Sequence, residues 1–582
     1  MRIKKSIVRR ESDVNDHNAL GRNEILSRVF ANRGVSDSED LDLANRYLLT
    51  PDKLSNIEVA ANIVAANIRQ GSKIIVVGDY DADGATSTAL CILSLRDMGC
   101  SNIDYVVPNR FEYGYGLSPA IVDVAARLNP DLIITVDNGV ASHGGVDRCV
   151  ELGIQVVITD HHLPGENLPN ADAIVNPNLL DDEFPSKYLA GVGVIFYLLS
   201  VVRKSLQKSD WFKNAEPPNL AKYLDLVALG TYADLVPLDR NNRILVAQGL
   251  KRINRGRCRP GITQLAKVSG RTPGQLYASD LGFQLAPRLN AAGRLEDMST
   301  GIECLLADDA DTAGKLANQL DDINRQRKEI ETEMQEEAMQ QVRQLLPKGD
   351  VLGLCIYDNS WHQGIVGLVA SRLKERINCP VIVFAPGEGQ ELKGSARSIP
   401  GLHIRDLLCE IDGQQPDLIQ KFGGHAMAAG LSIDAKNFSK FKQLFDESLI
   451  SRSDLITSAN VVLTDGSMTA DLDDLKLIRD IKTAAPWGQG FAEPLFDDTF
   501  KVLGQRLVGD IHLKLKLRKE DSSHGSIDAI FFRYLESRGA PCPSLDRVHV
   551  AYRMDVNEYA GRIQPQLIIE HLEPLEPVGW PH

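Results

Sequence analysis

The chain has 582 residues, of which 43% are hydrophobic and 24% charged, and it carries a formal net charge of -14. Since single hydrophobic cores stop growing at roughly 250–300 residues, we expect two or three globular domains and exclude a disordered or fibrous chain. The net charge argues against a generally basic coat for nucleic acid, although a local basic groove can still hold a polyanion. Neither a secretory signal nor a membrane span is found, so we expect a cytoplasmic protein.

From about residue 73, short β-branched runs alternate with helical patterns, which predicts a parallel sheet flanked by helices. Three of these runs, at residues 74–77, 132–136 and 156–159, are each followed within two residues by an aspartate. Because functional groups gather beyond the carboxyl ends of parallel strands, we expect these aspartates to converge in one crevice.

The first of these segments holds Asp79, Asp81 and Asp83 at alternate positions. Three crowded carboxylates repel one another unless a hard cation such as Mg²⁺ or Mn²⁺ neutralises them. An acidic turn that caps the next helix is the alternative interpretation of this segment alone.

Further candidate ligands follow the second and third runs, where Asp137 stands alone and Asp160 precedes His161 and His162. Carboxylates combined with imidazoles favour a mixed oxygen and nitrogen metal site. Asp234 follows an apolar, helix-like stretch and could equally be a helix cap. The predicted catalytic set is Asp79, Asp81, Asp83, Asp137, His161, His162 and Asp234.

The second half of the chain changes pattern twice. Residues 307–346 have apolar positions at helical spacing within a charged segment, which predicts a long helix connecting two domains. A second α/β domain is expected from about residue 350. After about residue 455, short alternating strands indicate an all-β barrel or sandwich.

Several segments resemble known motifs. The segments 79–84, 137–139, 160–162 and 230–234 resemble, in order and spacing, the four motifs of the DHH phosphoesterases. The segment Gly423 to Gly430 is similar to the glycine-rich motif of the associated DHHA1 domain. The segment Leu285 to Leu295 resembles a signature of one subgroup, the bacterial RecJ exonucleases.

This resemblance implies a parallel-sheet DHH domain, a linker helix, an α/β DHHA1 domain and a C-terminal OB-fold barrel. The expected bounds are 1–306 with an N-terminal extension over 1–50, 307–349, 350–454 and 455–582. Val77 departs from the family, where a histidine often stands at this position. A valine cannot ligate a metal, which weakens the first of two expected metal sites.

By analogy with the family, the ligands divide between two ions of Mg²⁺ or Mn²⁺. Asp81 and Asp137 are assigned to the first ion. The second is assigned to Asp83, His161 and Asp234, with Asp137 bridging the two. Asp160 is expected to orient His161, which leaves His162 to contact the phosphoryl oxygens or the leaving group.

Candidate residues for binding nucleic acid lie in each of the three expected domains, and for the arginines a surface salt bridge is the alternative. The alternating basic residues near position 514 could equally be the polar face of an ordinary amphipathic strand. Trp487, Phe491, Tyr113 and Tyr115 could stack bases, although Trp487 could instead belong to a core. The predicted binding residues are Arg110, Arg288, Asn290, Ser395, Arg397, Gly424, His425, His512, Lys514 and Lys516.

The resemblance implies a metal-dependent exonuclease that degrades single-stranded DNA from the 5′ end to mononucleotides, in recombination and mismatch repair. It also implies a single-strand-binding protein and a RecQ-type helicase as partners, and a monomer is expected. The alternatives are an oligoribonuclease or cyclic-dinucleotide phosphodiesterase of the same superfamily, which would have little use for the third domain, and a non-catalytic DNA-binding relative.

Overall fold

A computed structural model describes most of the chain. The described residues are 6–11, 20, 22–108, 116–345, 352–453, 461–469, 471–509, 511–520, 525–535, 544–559 and 562–575. They form two compact units. The first unit comprises Val35–Arg325 and Lys482–Glu493, and the second comprises Met1–Gly34, Gln326–Ile481 and Pro494–His582. No helix in the described part of the chain has the length and apolarity needed to cross a membrane.

The described chain begins within the second unit, with strand β1 (Ser6–Arg9) and helix α1 (Glu24–Ala31). Strand β1 pairs in parallel with Val461–Thr464. The Arg9 guanidinium donates to the buried carboxylate of Asp497 at 2.9 and 3.1 Å. The N-terminal segment is therefore held by residues that lie more than 450 positions further along the chain.

The first unit contains a five-stranded sheet in the order β3-β2-β4-β5-β6, and every neighbouring pair is parallel. All residues of β2 and β4 are buried, as expected for strands covered by helices on both faces. The strands are β2 (Ile74–Val77), β3 (Ile103–Val106), β4 (Leu132–Val136), β5 (Gln155–Thr159) and β6 (Ala173–Val175).

Helices of the first unit follow the strands and also form a layer after residue 190. Two of them end at Gly71 and Gly153, whose left-handed conformation terminates a helix. The helices are α2 (Ile57–Gln70), α3 (Ala82–Asp97), α4 (Pro119–Ala126), α5 (His143–Leu152), α6 (Gly191–Lys208), α7 (Leu224–Ala233), α8 (Arg240–Asn254) and α9 (Pro260–Val268). Two further helices of the unit span Ala286–Leu295 and Ser299–Leu306.

The predicted long helix spans Ala310–Leu345, and the boundary between the two units falls within it. The second unit then forms a sheet in the order β10-β11-β9-β8-β7, in which only β7 and β8 are parallel. Its strands are β7 (Leu354–Tyr357), β8 (Val381–Pro386), β9 (Glu391–Arg397), β10 (Lys421–Gly424) and β11 (Ala428–Asp434). Helices Val366–Ile377, Ile404–Gln414 and Phe438–Ile450 accompany them, and β12 (Val461–Thr464) and the helix Leu475–Thr483 follow.

The last strands close into a five-stranded barrel in the order β13-β14-β15-β17-β16. In β14 the side chains of Leu513, Leu515 and Leu517 are buried, whereas the intervening basic residues are partly or fully exposed. The strands are β13 (Phe496–Val508), β14 (His512–Lys519), β15 (Ile527–Phe531), β16 (Arg547–Tyr559) and β17 (Arg562–Pro574). The predicted architecture of two α/β parts, a long helix and a C-terminal barrel is confirmed.

Candidate metal centre

The carboxyl ends of the three central strands of the first sheet bring the predicted ligands together. Asp79 follows β2, Asp137 follows β4, and the segment from Asp160 to His162 follows β5. Because β2, β4 and β5 are neighbours in the sheet, these side chains meet at one edge, as the sequence predicts. Asp79, Asp137 and Asp160 are all buried.

Asp137 is held in an unusual backbone conformation, with φ at 64°. Its N–H donates to the carbonyl of Thr159 at 3.0 Å. The next residue, Asn138, is fully buried and donates from its side-chain amide to the carbonyls of Val77 and Val136. A left-handed aspartate costs free energy, and it persists here because the neighbouring contacts determine the turn.

Asp83 lies in the first turn of α3, and its carboxylate accepts hydrogen bonds from the start of another helix. The N–H groups of Gly191 and Val192, at the start of α6, donate to it at 2.7 and 3.0 Å. A helix N-terminus stabilises a carboxylate in this way. A Cβ atom at position 191 would lie 2.6 Å from Cβ of Asp137, so only glycine allows this approach. Gly191 is not among the residues predicted from the sequence, although a glycine at the start of an apolar helix is a usable signal.

Asp234 caps the C-terminus of α7 and comes close to the histidine segment. Nε2 of His161 lies 3.5 Å from Oδ2 of Asp234 and 3.1 Å from Oδ1 of Asp137. At Gly230 in α7, a Cβ atom would lie 2.8 Å from Oδ1 of Asp83, so glycine lets this helix approach the site. Ligand atoms of Asp83, His161 and Asp234 all lie within 4.8 Å of one another.

A second set of ligand atoms belongs to Asp79, Asp81 and Asp137, which also lie within 4.8 Å of one another. Asp81 is the N-cap of α3, and one of its carboxylate oxygens accepts from the N–H groups of Asp83 and Gly84. The helix-cap interpretation of this segment is therefore correct for Asp81, and it does not exclude metal binding because a carboxylate has further lone pairs. Val77 is fully buried in the hydrophobic core of the sheet, so it presents no ligand.

Asp160 makes a different contact from the one predicted. Its Oδ1 lies 2.7 Å from Nδ1 of His162, and it accepts the backbone N–H of both histidines. Its other oxygen accepts from the N–H of Val140. Asp160 thus fixes the ring of His162, whereas it contacts His161 through the backbone. The carbonyls of the two histidines accept from the side-chain amides of Asn176 and Asn178.

The electrostatics of the cluster favour a cation. Burial and the negative charge of Asp234 raise the pKa of Asp83 to about 7, and burial and the charge of Asp81 raise the pKa of Asp234 to about 8. Burial, followed by the charge of Asp83, raises the pKa of Asp137 well above its ordinary value. A divalent cation would remove this repulsion and keep all three carboxylates ionised.

The two histidines differ in their protonation. Burial lowers the pKa of His161, which keeps its imidazole neutral and able to ligate a metal. Its Nε2 is buried, faces two carboxylates and makes no hydrogen bond among the described residues. Burial opposes the charge on His162, but the hydrogen bond and charge of Asp160 outweigh it and raise the pKa of His162 to about 9. Hard oxygens with one neutral imidazole fit Mg²⁺ or Mn²⁺.

Two residues of the first unit that were predicted to bind nucleic acid make hydrogen bonds to other residues of the protein. Nε and Nη2 of the buried Arg288 lie 2.9 and 2.7 Å from Oδ1 of Asp321. The side chain of Asn290 accepts the N–H of Ala82 at 2.8 Å and so supports the turn that carries Asp81. For both residues a contact with phosphate remains a prediction. Arg110, Tyr113 and Tyr115 lie outside the described residues.

The aromatic pair predicted as possible base-stacking residues is buried in the first unit. The rings of Trp487 and Phe491 stack at 5.3 Å with an angle of 11°. The guanidinium of Arg243 lies 4.0 Å from the Phe491 ring centroid, and the hydroxyl of Tyr232 donates to the Trp487 carbonyl. The core interpretation of Trp487 is therefore correct.

The predicted binding residues of the α/β part of the second unit lie on β9 and at the end of β10, two strands that β11 separates in the sheet. Ser395 and Arg397 alternate in β9 on one face of the sheet, and Nη1 of Arg397 donates to Oγ of Ser395 at 2.9 Å. A Cβ atom at Gly367 would lie 2.9 Å from Nη2 of Arg397, so this glycine makes room for the guanidinium. Gly424 ends β10 with φ at 143°, and the N–H of His425 donates to the carbonyl of Ala428.

In the barrel, His512, Lys514 and Lys516 lie on the outer face of β14. Lys514 forms an ion pair with Asp528 at 2.7 Å, and Nδ1 of His512 accepts the N–H of Arg533. Lys516 and Arg518 are exposed.

Comparison with known proteins identifies each part of the chain. The sequence model described as "DHH family, N-terminal domain" matches residues 73–231, the DHHA1 domain matches residues 349–451, and the RecJ OB domain matches residues 464–571. The single-stranded-DNA-specific exonuclease RecJ of Salmonella typhimurium is 50% identical over 580 residues, which cover 99% of this chain and 100% of that protein. The Escherichia coli protein of the same name is 50% identical, covering 95% and 96%.

Solved structures agree with this match. The crystal structure of RecJ from Thermus thermophilus in complex with Mn²⁺ superposes with a TM-score of 0.78 at 29% identity, over 96% of this chain and 77% of that one. The same protein in complex with Mg²⁺ gives a TM-score of 0.73 at 28% identity, over 96% and 76%. Because relatives at half identity cover almost the full length and all three domain types occur in one order, this chain belongs to the RecJ family of DHH phosphoesterases.

Proposed function

We propose that this protein is a metal-dependent exonuclease that hydrolyses single-stranded DNA from the 5′ end to 5′-mononucleotides in recombination and repair. The observation that supports this proposal most directly is the convergence of Asp83, Asp137, His161 and Asp234 at the edge of one parallel sheet. Relatives at about half identity are named single-stranded-DNA-specific exonucleases, and the Thermus relative was crystallised with Mn²⁺ and with Mg²⁺.

Two ions of Mg²⁺ or Mn²⁺ would supply a nucleophilic water and charge stabilisation for the phosphodiester. We assign Asp83, His161 and Asp234 to one ion, with Asp137 as the bridge. The grouping of Asp79 and Asp81 with Asp137 supports the other site, and it adds Asp79 as a ligand in place of the histidine that Val77 replaces. Both sites then contain only residues fixed by the ends of the three central strands and by α3 and α7.

His162 provides a positive charge beside these ligands. Since its pKa is raised to about 9 by Asp160, its imidazole is protonated at neutral pH. Its Nδ1 is held by Asp160, which orients Nε2 for donation to a phosphoryl oxygen or to the leaving group. We therefore assign His162 to the substrate and Asp160 to positioning.

Contacts to the DNA strand are proposed for residues that offer positive charge or backbone N–H groups to phosphate. In the second unit these are Ser395 and Arg397 with the turn at Gly424 and His425, and His512, Lys514 and Lys516 on the barrel. Arg110, Arg288 and Asn290 are the corresponding proposals in the DHH domain. Alternation of buried leucines with basic residues on β14 supports a basic track on an OB-fold, a fold suited to single strands.

The two alternative functions are less well supported. An oligoribonuclease or cyclic-dinucleotide phosphodiesterase would not require a third domain, and residues 464–571 match the RecJ OB domain. A non-catalytic relative would not require the complete set of carboxylates and imidazole that the cluster retains.

The deciding experiment uses oligonucleotides labelled at the 5′ or the 3′ end. We expect Mg²⁺ or Mn²⁺ to permit release of mononucleotides from the 5′ end of single-stranded DNA, with little release from duplex DNA or RNA. EDTA should abolish the release. Release from the 3′ end, or equal degradation of RNA, would refute the proposed polarity or substrate. No release with either metal would refute the proposed activity.

We further propose that the work is divided among the domains expected from the sequence, over residues 1–306, 307–349, 350–454 and 455–582. The protein is proposed to act in the cytoplasm as a monomer, with a single-strand-binding protein and a RecQ-type helicase as partners. Light scattering of the purified protein tests the monomer, and pull-down with each purified partner tests the two interactions.

A further inference from the structure

A cavity of about 150 Å³ lies in the first unit, at the C-terminal end of α8. Its polar lining comes from Asn45, Gln248 and four cationic residues, Lys251, Arg252, Arg255 and Arg257. None of these residues belongs to the carboxylate and histidine cluster. The structure gathers these side chains around one concave space.

Among the described residues, the four cations form no close ion pair with a carboxylate. Other arginines of the same unit form close ion pairs, such as Arg259 with Asp308 at 2.8 Å. In the cavity, by contrast, Nη2 of Arg252 donates to the carbonyl of Arg257, and Nε of Arg252 is buried without an acceptor. Asp225 interacts electrostatically with Arg252, but this carboxylate is fully buried and accepts the N–H groups of Arg259 and Leu226.

Stabilisation of the helix does not account for this concentration of charge. Lys251 and Arg252 lie in the last turn of α8, where basic residues offset the negative end of the helix dipole. The last carbonyls of α8 already accept N–H groups from Arg255, Gly256 and Arg257. The side chains of Arg255 and Arg257 lie beyond the helix and are exposed, so they add positive charge that the helix end does not need.

The size of the cavity and its charge indicate the chemistry of a ligand. A cavity volume of about 10–15 Å³ is enough to hold one water molecule. The volume of about 150 Å³ therefore admits a group of several heavy atoms. Arginine forks bind phosphate oxygens bidentately, and four cations exceed the charge of one phosphate. Leu224, the first residue of α7, also lines the cavity, and the positive end of this helix dipole favours an anion.

We propose that this cavity is a second anion site of the protein and that it binds a phosphate group, either of a free mononucleotide or of a phosphodiester in single-stranded DNA. The site is joined to the metal centre by α7, which begins at Leu224 and is capped by Asp234. A helix of this length spans roughly 15 Å, so the ligand binds well away from the reacting phosphate. The free-nucleotide source is independent of the proposed nuclease function, whereas the strand source rests on it.

The test is equilibrium binding to the full-length protein in EDTA, where no hydrolysis occurs. Calorimetry measures the binding of orthophosphate and of deoxyadenosine monophosphate, and fluorescence anisotropy measures the binding of a short oligothymidylate. The variant is Arg255→Glu with Arg257→Glu, two exposed side chains whose exchange leaves the helix cap intact. The matched control is Lys208→Glu with Lys213→Glu, which makes the same charge change at exposed positions outside the cavity.

We expect the cavity variant to weaken at least one ligand about tenfold or more, and the control to change none by that much. Selective loss of monophosphate and orthophosphate binding identifies a free-phosphate site. Selective loss of oligothymidylate binding, with a salt slope reduced by about 0.7 per lost phosphate contact, identifies a strand site. If the wild type binds none of the ligands, or if variant and control bind alike, the proposal is wrong. Metal-dependent hydrolysis of a dinucleotide, measured in parallel, reports separately on the proposed function.

Discussion

Asp137 combines a left-handed backbone with a position between two groups of ligands. Asp137→Asn keeps the size of the side chain and suits this backbone conformation, because asparagine tolerates it well. We expect hydrolysis of single-stranded DNA to fall more than about 100-fold, since even the outer partners of metal ligands contribute roughly 10–100-fold. Without metal, the variant should melt at a higher temperature than the wild type, because one of the repelling carboxylates is removed.

The control for this prediction is Asp131→Asn, at the other end of β4. Asp131 accepts the N–H of Lys73 and is exposed. Its replacement should leave turnover nearly unchanged. Substantial residual hydrolysis in Asp137→Asn, together with a melting temperature equal to that of the wild type without metal, would contradict the assignment of Asp137 as a ligand.

The raised pKa values of Asp83 and Asp234, about 7 and about 8, predict how pH changes the effect of metal. A carboxyl whose pKa is raised on folding stabilises the folded protein at low pH, and this stability is lost as pH rises through the folded pKa. The metal-free protein should therefore lose stability as pH rises from about 4, the ordinary pKa of an aspartate, to about 8, and Mg²⁺ should restore it by neutralising the ionised carboxylates. Differential scanning fluorimetry should show a larger Mg²⁺-induced rise in melting temperature at the upper end of this window. An equal rise at both ends would contradict this account.

At the scale of single residues, the sequence predicted the cluster because the candidate ligands lie just beyond a strand or helix or, for Asp81 and Asp83, at the start of the helix that follows β2. It could not predict contacts that depend on distant segments. Asn290 supports the turn at Asp81 from more than 200 residues away, and Arg288 meets Asp321 on a different helix. The role of Asp160 depended on ring orientation, which a run of three adjacent residues does not determine.

At the scale of elements, the segment Lys482–Glu493 belongs to the first unit although it comes late in the chain, and it supports α7 through a hydrogen bond. The buried Tyr232 hydroxyl, two residues before Asp234, donates to the Trp487 carbonyl at 2.6 Å. Tyr232→Phe leaves that carbonyl without this donor, which costs about 1–3 kcal/mol. We expect a lower melting temperature and weaker Mn²⁺ binding, because the cap of α7 loses support. Tyr188→Phe, at an exposed ring, is the control, and unchanged Mn²⁺ affinity in Tyr232→Phe would show that this segment does not position Asp234.

The position of Lys482–Glu493 in the first unit could not be predicted from the sequence. The central strands and the long helix were predictable because their apolar periods are local. The segment Lys482–Glu493 and strand β1 were not, since β1 pairs with β12 and Arg9 with Asp497 across almost the whole chain. Such pairings depend on the folded neighbours rather than on any local pattern.

At the scale of the whole molecule, the negative net charge requires basic groups to be concentrated where a polyanion is bound. The exposed Lys516 and Arg518 on β14 are such groups, and they lie in the part of the chain that matches the RecJ OB domain. The candidate metal centre lies in the other unit, and all of its residues except Asp234 fall within the match to the DHH family. Loss of charge on the barrel should therefore affect long substrates and spare the chemical step.

The last prediction tests this separation with Lys516→Gln and Arg518→Gln in one protein. Two lost phosphate contacts should weaken oligonucleotide binding and reduce the slope of log K against log salt by about 1.4, at about 0.7 for each contact. Hydrolysis of a dinucleotide should be unchanged, because a substrate of this size has no further phosphate groups that could contact the barrel. The matched control, Lys436→Gln with Lys440→Gln, removes two exposed lysines from the same unit but outside the barrel. An equal loss of dinucleotide and oligonucleotide hydrolysis would mean that β14 acts through the stability of the protein, since a binding track would affect only the substrates long enough to contact it.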